Sequence, residues 1–384
     1  MNLAKTCNYW LAIGLLISPV AHAQYYDFST KTAAADYLQS VADKVGESNL
    51  DKIPRGDALY LAATFGQIDR ATVPPGVFIE HLEVAAAVRN RFYPEIPPES
   101  FRQYILAVRI RSEFTSHAGW RKRLNAELMP LIGSEKEVAK AANTVFSWVQ
   151  SKVKLTGEPR TYPLNLKGDM DPLSTLRGGR GNETDVAILA VACLRSVGIA
   201  SRIAYAPVIA NEKGGKVWVE YRDSKEWQPW VPSAPPGENS KTWLNREFRG
   251  EWGYILANPE QPLNITGSYV QTAAVWVCPH PLSAAKFDSA TMVFCNGRLQ
   301  PVTGRDVYNT EPENAALGLG PGSYVLASGD HATLAGIKPV TLRIDAPGWY
   351  QMDFEAKKQL FAVAIAKPDF FEWLPDPPAN SATW

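Results

Sequence analysis

At 384 residues, 46% hydrophobic and 20% charged, the chain has the size and balance of a globular protein of about two domains, not of a disordered or fibrous one. Its 39 Lys and Arg equal its 39 Asp and Glu, so no global field favours nucleic acid, anionic lipid or a polyanionic substrate. From the N-terminus, Lys5 precedes the apolar run WLAIGLLISPVA, which ends in AHA. A short basic start, a short apolar centre and an A-x-A site predict a signal peptide over 1–23, cleaved after Ala23. The mature protein is therefore expected to be exported, periplasmic or secreted. The run is short for a bilayer, and no later segment reads as a span, so none is expected in the mature form.

From Tyr37 to Val153 apolar residues recur at three- and four-residue steps, predicting helices over 32–45, 81–92, 99–114 and 135–153. Pro74–Pro75 and Pro97–Pro98 punctuate them. The stretch 155–233 mixes types: a helix over Asp185–Val197, then strand-like SRIAYAPVI, KVWVEYRD and EWQPWVP. Asn239–Tyr254, NSKTWLNREFRGEWGY, is polar and reads as a loop. After about Gly250 come SYVQTAAVWVC, ATMVFCNG, GSYVLAS, VTLRIDA, GWYQMDF and LFAVAIA, short strands with turn signals between them that suggest a β-sandwich. The implied division is 24–154 helical, 155–249 a mixed core, 250–373 a β-sandwich and 374–384 a tail.

Past the signal, Cys193, Cys278 and Cys295 remain. Cys193 lies inside the apolar helix as a small buried hydrophobe. Cys278 and Cys295 lie in neighbouring strand-like runs, and export permits a disulfide between them. No HExxH, G-x-S-x-G or P-loop pattern occurs, and His81, His117, His280 and His331 are isolated, so neither metal nor cofactor is expected.

The block GGRGNETDVAILAVACLRSVGIASRIAYAP, followed by KVWVEYRD and EWQPWVP, resembles the three blocks of the bacterial transglutaminase-like superfamily. FRQYILAVRIRSEF…GWRKRL (Phe101–Leu124) and LGPGSYVLASG (Leu319–Gly329) are similar to flanking segments of a secreted subset of that family. The resemblance implies an α+β fold: a helical N-terminal section, a papain-like core with a helix on an antiparallel sheet, and a C-terminal β-sandwich. It also implies a Cys–His–Asp triad. Here Glu183 stands in the Cys place, Lys216 in the His place and Val231 in the Asp place, while Leu194, Arg195, Gly198, Ile199 and Trp218 keep the scaffold.

A thiol at a helix N-terminus is stabilised as thiolate, and a histidine takes its proton. Glu183 is a poor nucleophile toward an amide, Lys216 a poor base at its ordinary pKa near about 10.4, and Val231 orients nothing. The leading expectation is a pseudoenzyme that binds peptide, glycan or a partner protein through the inherited cleft. The alternatives are a glycan-acting hydrolase using Glu183 and Asp185, or a structural protein with a closed cleft. Against the hydrolase, Asn182 and Asp185 also read as a capping box. Trp218 and Trp227 read as core. Trp230, Trp243 and Trp252 are candidates for a ligand surface, with Trp243 or Trp252 expected on an exposed rim. Arg109, Glu113 and Arg121 are expected to make polar contacts with the core. Glu183 and Lys216 inherit a negative group facing a positive one, so an ion pair is expected between them.

Overall fold

The computed structural model describes residues 31–46, 50, 53–65, 67–111, 113, 119–157, 169–206, 215–224, 226–235, 237–248, 255–257 and 263–270, together with strand backbone between 273 and 366. The signal segment 1–23, the tail 374–384, Trp252, His117, His280 and His331 lie outside the described residues, as do the side chains of Cys278 and Cys295.

The N-terminal section is helical: α1 (Lys31–Val45), α2 (Arg55–Thr64), α3 (Gln67–Thr72), α4 (Pro75–Val88), α5 (Pro98–Phe101), α6 (Trp120–Ile132) and α7 (Val138–Lys152). Pro75 and Pro98 occupy first-turn positions, where the missing N–H is no loss. The helix expected over 99–114 stops early. α5 runs into one π turn, Arg102–Leu106, closed by Ala107 N–H on Arg102 O at 2.9 Å, and residues 107–111 are not helical. Their carbonyls are claimed from outside: Ala107 O accepts from both Arg121 and Arg195, and Arg109 O from Arg195. Tertiary donors thus outcompete the local helix pattern.

α8 (Pro172–Gly178) leads through β2 (Arg180–Gly181), which pairs in parallel with β1 (Lys154–Leu155), into α9 (Glu183–Ser196). α9 is buried from Asp185 to Ser196, a helix apolar all round and so an interior one. It ends at Gly198, whose φ of +90° suits glycine and whose Cα leaves no room for a side chain: an added Cβ would lie 2.5 Å from Val88 O. An antiparallel five-stranded sheet follows, in the order β5–β4–β3–β6–β7, with β3 (Ser201–Ala206), β4 (Lys216–Asp223), β5 (Glu226–Trp230), β6 (Leu256–Ala257) and β7 (Leu263–Asn264).

Strand alternation divides the core between the two faces of this sheet. Ile203, Val219 and Tyr221 join α9 and the N-terminal helices in one buried cluster. Ala204, Ala206 and Trp218 join a second, with Trp243, Leu244 and Phe248 of α10 (Ser240–Phe248) and with Ile265. The stretch expected to be a loop is therefore partly helical. Asn239 receives the Thr242 N–H at its start, and Trp243, Leu244 and Phe248 form its buried side.

Beyond the turn Thr266–Ser268 the expected strands form. β8 (Ala273–Pro279) lies in a four-stranded sheet of order β11–β8–β15–β14, with β11 (Leu317–Leu319), β14 (Gly348–Phe354) and β15 (Gln359–Ala366). β9 (Ala290–Cys295) lies in a second, β10–β9–β12–β13, with β10 (Leu299–Val302), β12 (Gly322–Ser328) and β13 (Val340–Ile344). Cys278 and Cys295 therefore belong to different sheets. Among the described residues no helix is long and apolar enough to cross a membrane.

Candidate functional site

Glu183 opens α9. Asn182 caps that helix: its side chain accepts the Asp185 N–H at 2.9 Å, and Asp185 Oδ2 accepts the Asn182 N–H at 3.2 Å. Asp185 Oδ1 also accepts the Met170 N–H at 3.2 Å, and the residue is buried. The carboxylate proposed as half of an acid–base pair is thus enclosed and engaged with backbone donors. The capping-box geometry is complete.

The ion pair expected between Glu183 and Lys216 is present, with Lys216 Nζ 2.9 Å from Glu183 Oε1. A third side chain completes it. Lys216 Nζ donates to Ser233 Oγ at 2.8 Å, and the Ser233 hydroxyl donates in turn to Glu183 Oε1. The ammonium lies over the Trp243 ring, 4.3 Å from its centroid. The Lys216 side chain is 10% exposed and that of Glu183 21%, so the cluster is largely but not wholly withdrawn from water. A lysine held by a carboxylate, a hydroxyl oxygen and an aromatic face is a cation in a fitted socket.

Val231 is buried in the apolar cluster beside α10, and its N–H donates to Ser240 Oγ at 3.2 Å. Sequence reading missed Ser233. The signal was available in the run WVPS, two residues past the position singled out at Val231, but nothing in it says that the turn after β5 swings a hydroxyl onto a helix 50 positions away.

Trp243, one of the two residues offered for an exposed rim, is 6% exposed, because α10 forms and turns it inward beneath Lys216; the other, Trp252, lies outside the described residues. Trp230 is half-buried and stacks face to face on Phe146, with centroids 4.3 Å apart and planes 2° apart. Trp227 carries the Arg202 guanidinium 4.0 Å from its centroid and the edge of Tyr104. Trp218 is fully buried, its Nε1–H donated to Tyr269 Oη at 2.7 Å. Among the described residues no group of three or more His, Cys, Asp or Glu side chains could hold a metal ion.

The N-terminus of α9 and the start of β4 thus meet at one charged point. Residues 126–232 match the transglutaminase-like superfamily. The matched segment begins within α6 and ends at Pro232, next to Ser233. Two solved structures are similar in part. One is a candidate protease from Parabacteroides distasonis, with 10% identity, a TM-score of 0.28, and coverage of 64% of this chain and 48% of that one. The other is a candidate cysteine protease from Cytophaga hutchinsonii, with 11% identity, a TM-score of 0.29, and coverage of 72% and 67%. The chain thus spans about half the length of the first. No match is found among curated proteins.

Of Arg109, Glu113 and Arg121, expected to make polar contacts with the core, Arg121 reaches it through Arg195 O, while the other two side chains bind within the N-terminal section. Arg121 donates to Leu106 O, Ala107 O and Arg195 O. Arg109 pairs with Asp69, and both Glu113 oxygens accept backbone N–H groups, from Ile110 at 2.6 Å and Arg111 at 2.7 Å. Burial nonetheless outweighs those donors and Arg109, pushing the Glu113 carboxyl up to about 7. Cys193 is fully buried, and burial pushes its thiol up, so it offers no nucleophile.

Proposed function

We propose that the protein is an exported transglutaminase-like pseudoenzyme that binds peptide, glycan or a partner protein through the cleft of its fold. The observation that carries the reading is the closed cluster of Glu183, Ser233 and Lys216. By the sequence resemblance, Glu183 and Lys216 hold the nucleophile and base positions of the family. An ammonium paired with a carboxylate takes no proton from a substrate, and attack by Glu183 on an amide would have to expel the amine to give only a reactive mixed anhydride. The hydrolase alternative loses support, because Asp185 is enclosed as a helix cap. Export rests on the sequence of 1–23. In the C-terminal region the reading keeps a β-sandwich over 250–373 whose two sheets are joined by a Cys278–Cys295 disulfide.

The test has two arms. The wild-type mature protein, assayed against amide and polysaccharide panels with Glu183→Gln as control, is expected to turn over nothing; an activity that disappears in Glu183→Gln ends the pseudoenzyme reading. The triple variant Glu183→Cys, Lys216→His, Val231→Asp is expected to gain a thiol that an alkylating probe modifies faster near neutral pH than Cys193. An inert thiol there would mean that the geometry of the family is not retained.

A further inference from the structure

Away from the charged site, α4 and α6 enclose a second ionisable pair. His81 is fully buried against the Trp120 ring, 5.1 Å between centroids. Its Nδ1 accepts the Arg121 Nε–H at 3.4 Å, and its Nε2 has no partner among the described residues. That bond assigns the neutral ring its hydrogen on Nε2. Arg121 is also fully buried, and its guanidinium packs on Trp120 at 4.6 Å. Its other donors go to carbonyls: Leu106 O at 2.9 Å, Ala107 O at 3.3 Å and Arg195 O at 3.0 Å. Among the described residues it makes no ion pair with a carboxylate. Glu80 acts on it from a distance while accepting the Lys122 N–H. Arg195 of α9 adds a second buried guanidinium to the same carbonyls, Ala107 O at 2.9 Å and Arg109 O at 3.3 Å. The non-helical strap 107–111 is thus held by buried cations acting on carbonyl dipoles. Its far end reaches the candidate site: Arg111 Nη1 donates to Asp169 Oδ1 at 2.7 Å, and the following Met170 N–H donates to Asp185 in the cap of α9.

We propose that His81 is an acid-sensitive latch, which seats Arg121 when neutral and expels it on taking a proton at Nδ1, freeing the strap 107–111 and its Arg111–Asp169 tether to the N-terminus of α9. The new proton would replace an acceptor by a donor in front of Arg121 Nε–H and set a second buried cation beside the first, with only the distant Glu80 carboxylate to offset it among the described residues. Arg121 is the charged group that acts on the imidazole, and among the described residues the His81 Nε2 position finds no acceptor.

The direction of the pH response follows. Burial, and then Arg121, hold the His81 imidazole well below its ordinary range, and burial pulls Arg121 itself down to about 9. With a folded-state value below the open-state value of about 6.5, the latch stabilises fully above that pH and loses its contribution as the pH falls. Between about pH 7.5 and 5.5, linkage to one such group raises the opening equilibrium about tenfold.

Hydrogen exchange of the full mature protein, read on peptides covering 106–111 and corrected for intrinsic exchange, tests this. The wild type is expected to open about ten times more often at the lower pH, and His81→Phe, which keeps a ring against Trp120, to show no acid response. Opening independent of pH in the wild type, or an unchanged acid response in His81→Phe, overturns the proposal. If that variant fails to fold, an imidazole titration of the labelled wild type decides alone: His81 must stay neutral in the folded protein at pH 5.5, and a midpoint near about 6.5 refutes the latch.

Discussion

Glu183, Ser233 and Lys216 form a closed ring of three interactions in which each member satisfies the other two. Its energetics differ from those of a surface pair because the Lys216 side chain is mostly enclosed and rests on Trp243. Glu183→Gln leaves the ammonium facing a neutral amide, and Lys216→Met leaves the carboxylate with Ser233 alone. Each is expected to cost about 1–3 kcal/mol in urea unfolding, and Ser233→Ala about 1 kcal/mol. The double variant Glu183→Gln/Lys216→Met is expected to cost less than the sum of the singles by about 0.5–3 kcal/mol. Strict additivity would reduce the cluster to a crystallographic-style proximity with no coupling. The two charged members were legible in the sequence because they inherit positions of a recognisable pattern. Ser233 and Trp243 were not, since their approach depends on the turn after β5 and on the packing of α10.

The elements that present these residues owe their precision to their ends. α9 starts on a reciprocal cap and stops on Gly198, so its register against the sheet is fixed from both sides. Gly198→Ala must place a methyl where Val88 O lies 2.5 Å away, at a φ of +90°. The contact is with backbone, which cannot swing aside, so a loss of more than about 1–3 kcal/mol is expected, read as a fall in thermal midpoint. A near-neutral result would mean that α4 shifts freely relative to α9. The cap and the C-terminal strands were legible because they depend on local spacing. The end of the π turn at Leu106 was not, because it is decided by Arg121 and Arg195, which reach in from other helices. Within the stretch expected to be a loop, the helix Ser240–Phe248 escaped notice for a subtler reason. Trp243, Leu244 and Phe248 do carry helical spacing, but the polar residues around them mask a buried side of only three residues.

At the scale of the molecule, the five-stranded sheet is covered on both faces, and α10 and the segment 265–270 together form the second cover. Ile265 is buried in the cluster on Trp218, with Tyr269 and Val270 packed against it. Tyr269 Oη accepts the Trp218 Nε1–H and donates to Glu220 Oε1, each at 2.7 Å. Glu220 Oε2 holds Arg202 at 2.6 Å, and both members of that ion pair are almost completely enclosed. Burial, then the Glu220 charge, push the Tyr269 phenol far above its ordinary range, so it remains a neutral bridge at every physiological pH. The network is a continuous polar chain through an apolar layer, and such a chain is stable only when complete. A chain ended after Val270 is therefore expected to fold cooperatively, with Trp218 in its native environment. A chain ended after Arg249 loses the tyrosine, leaving the Trp218 N–H and one Glu220 oxygen unpaired, each at a cost of about 1–3 kcal/mol in addition to the lost apolar cover. Near-ultraviolet dichroism and urea unfolding of the two fragments decide the matter. If the shorter one matches the longer, the segment 265–270 is an appendage of the C-terminal strands; if it is less stable by several kcal/mol, that segment is the last structural piece of the transglutaminase-like core.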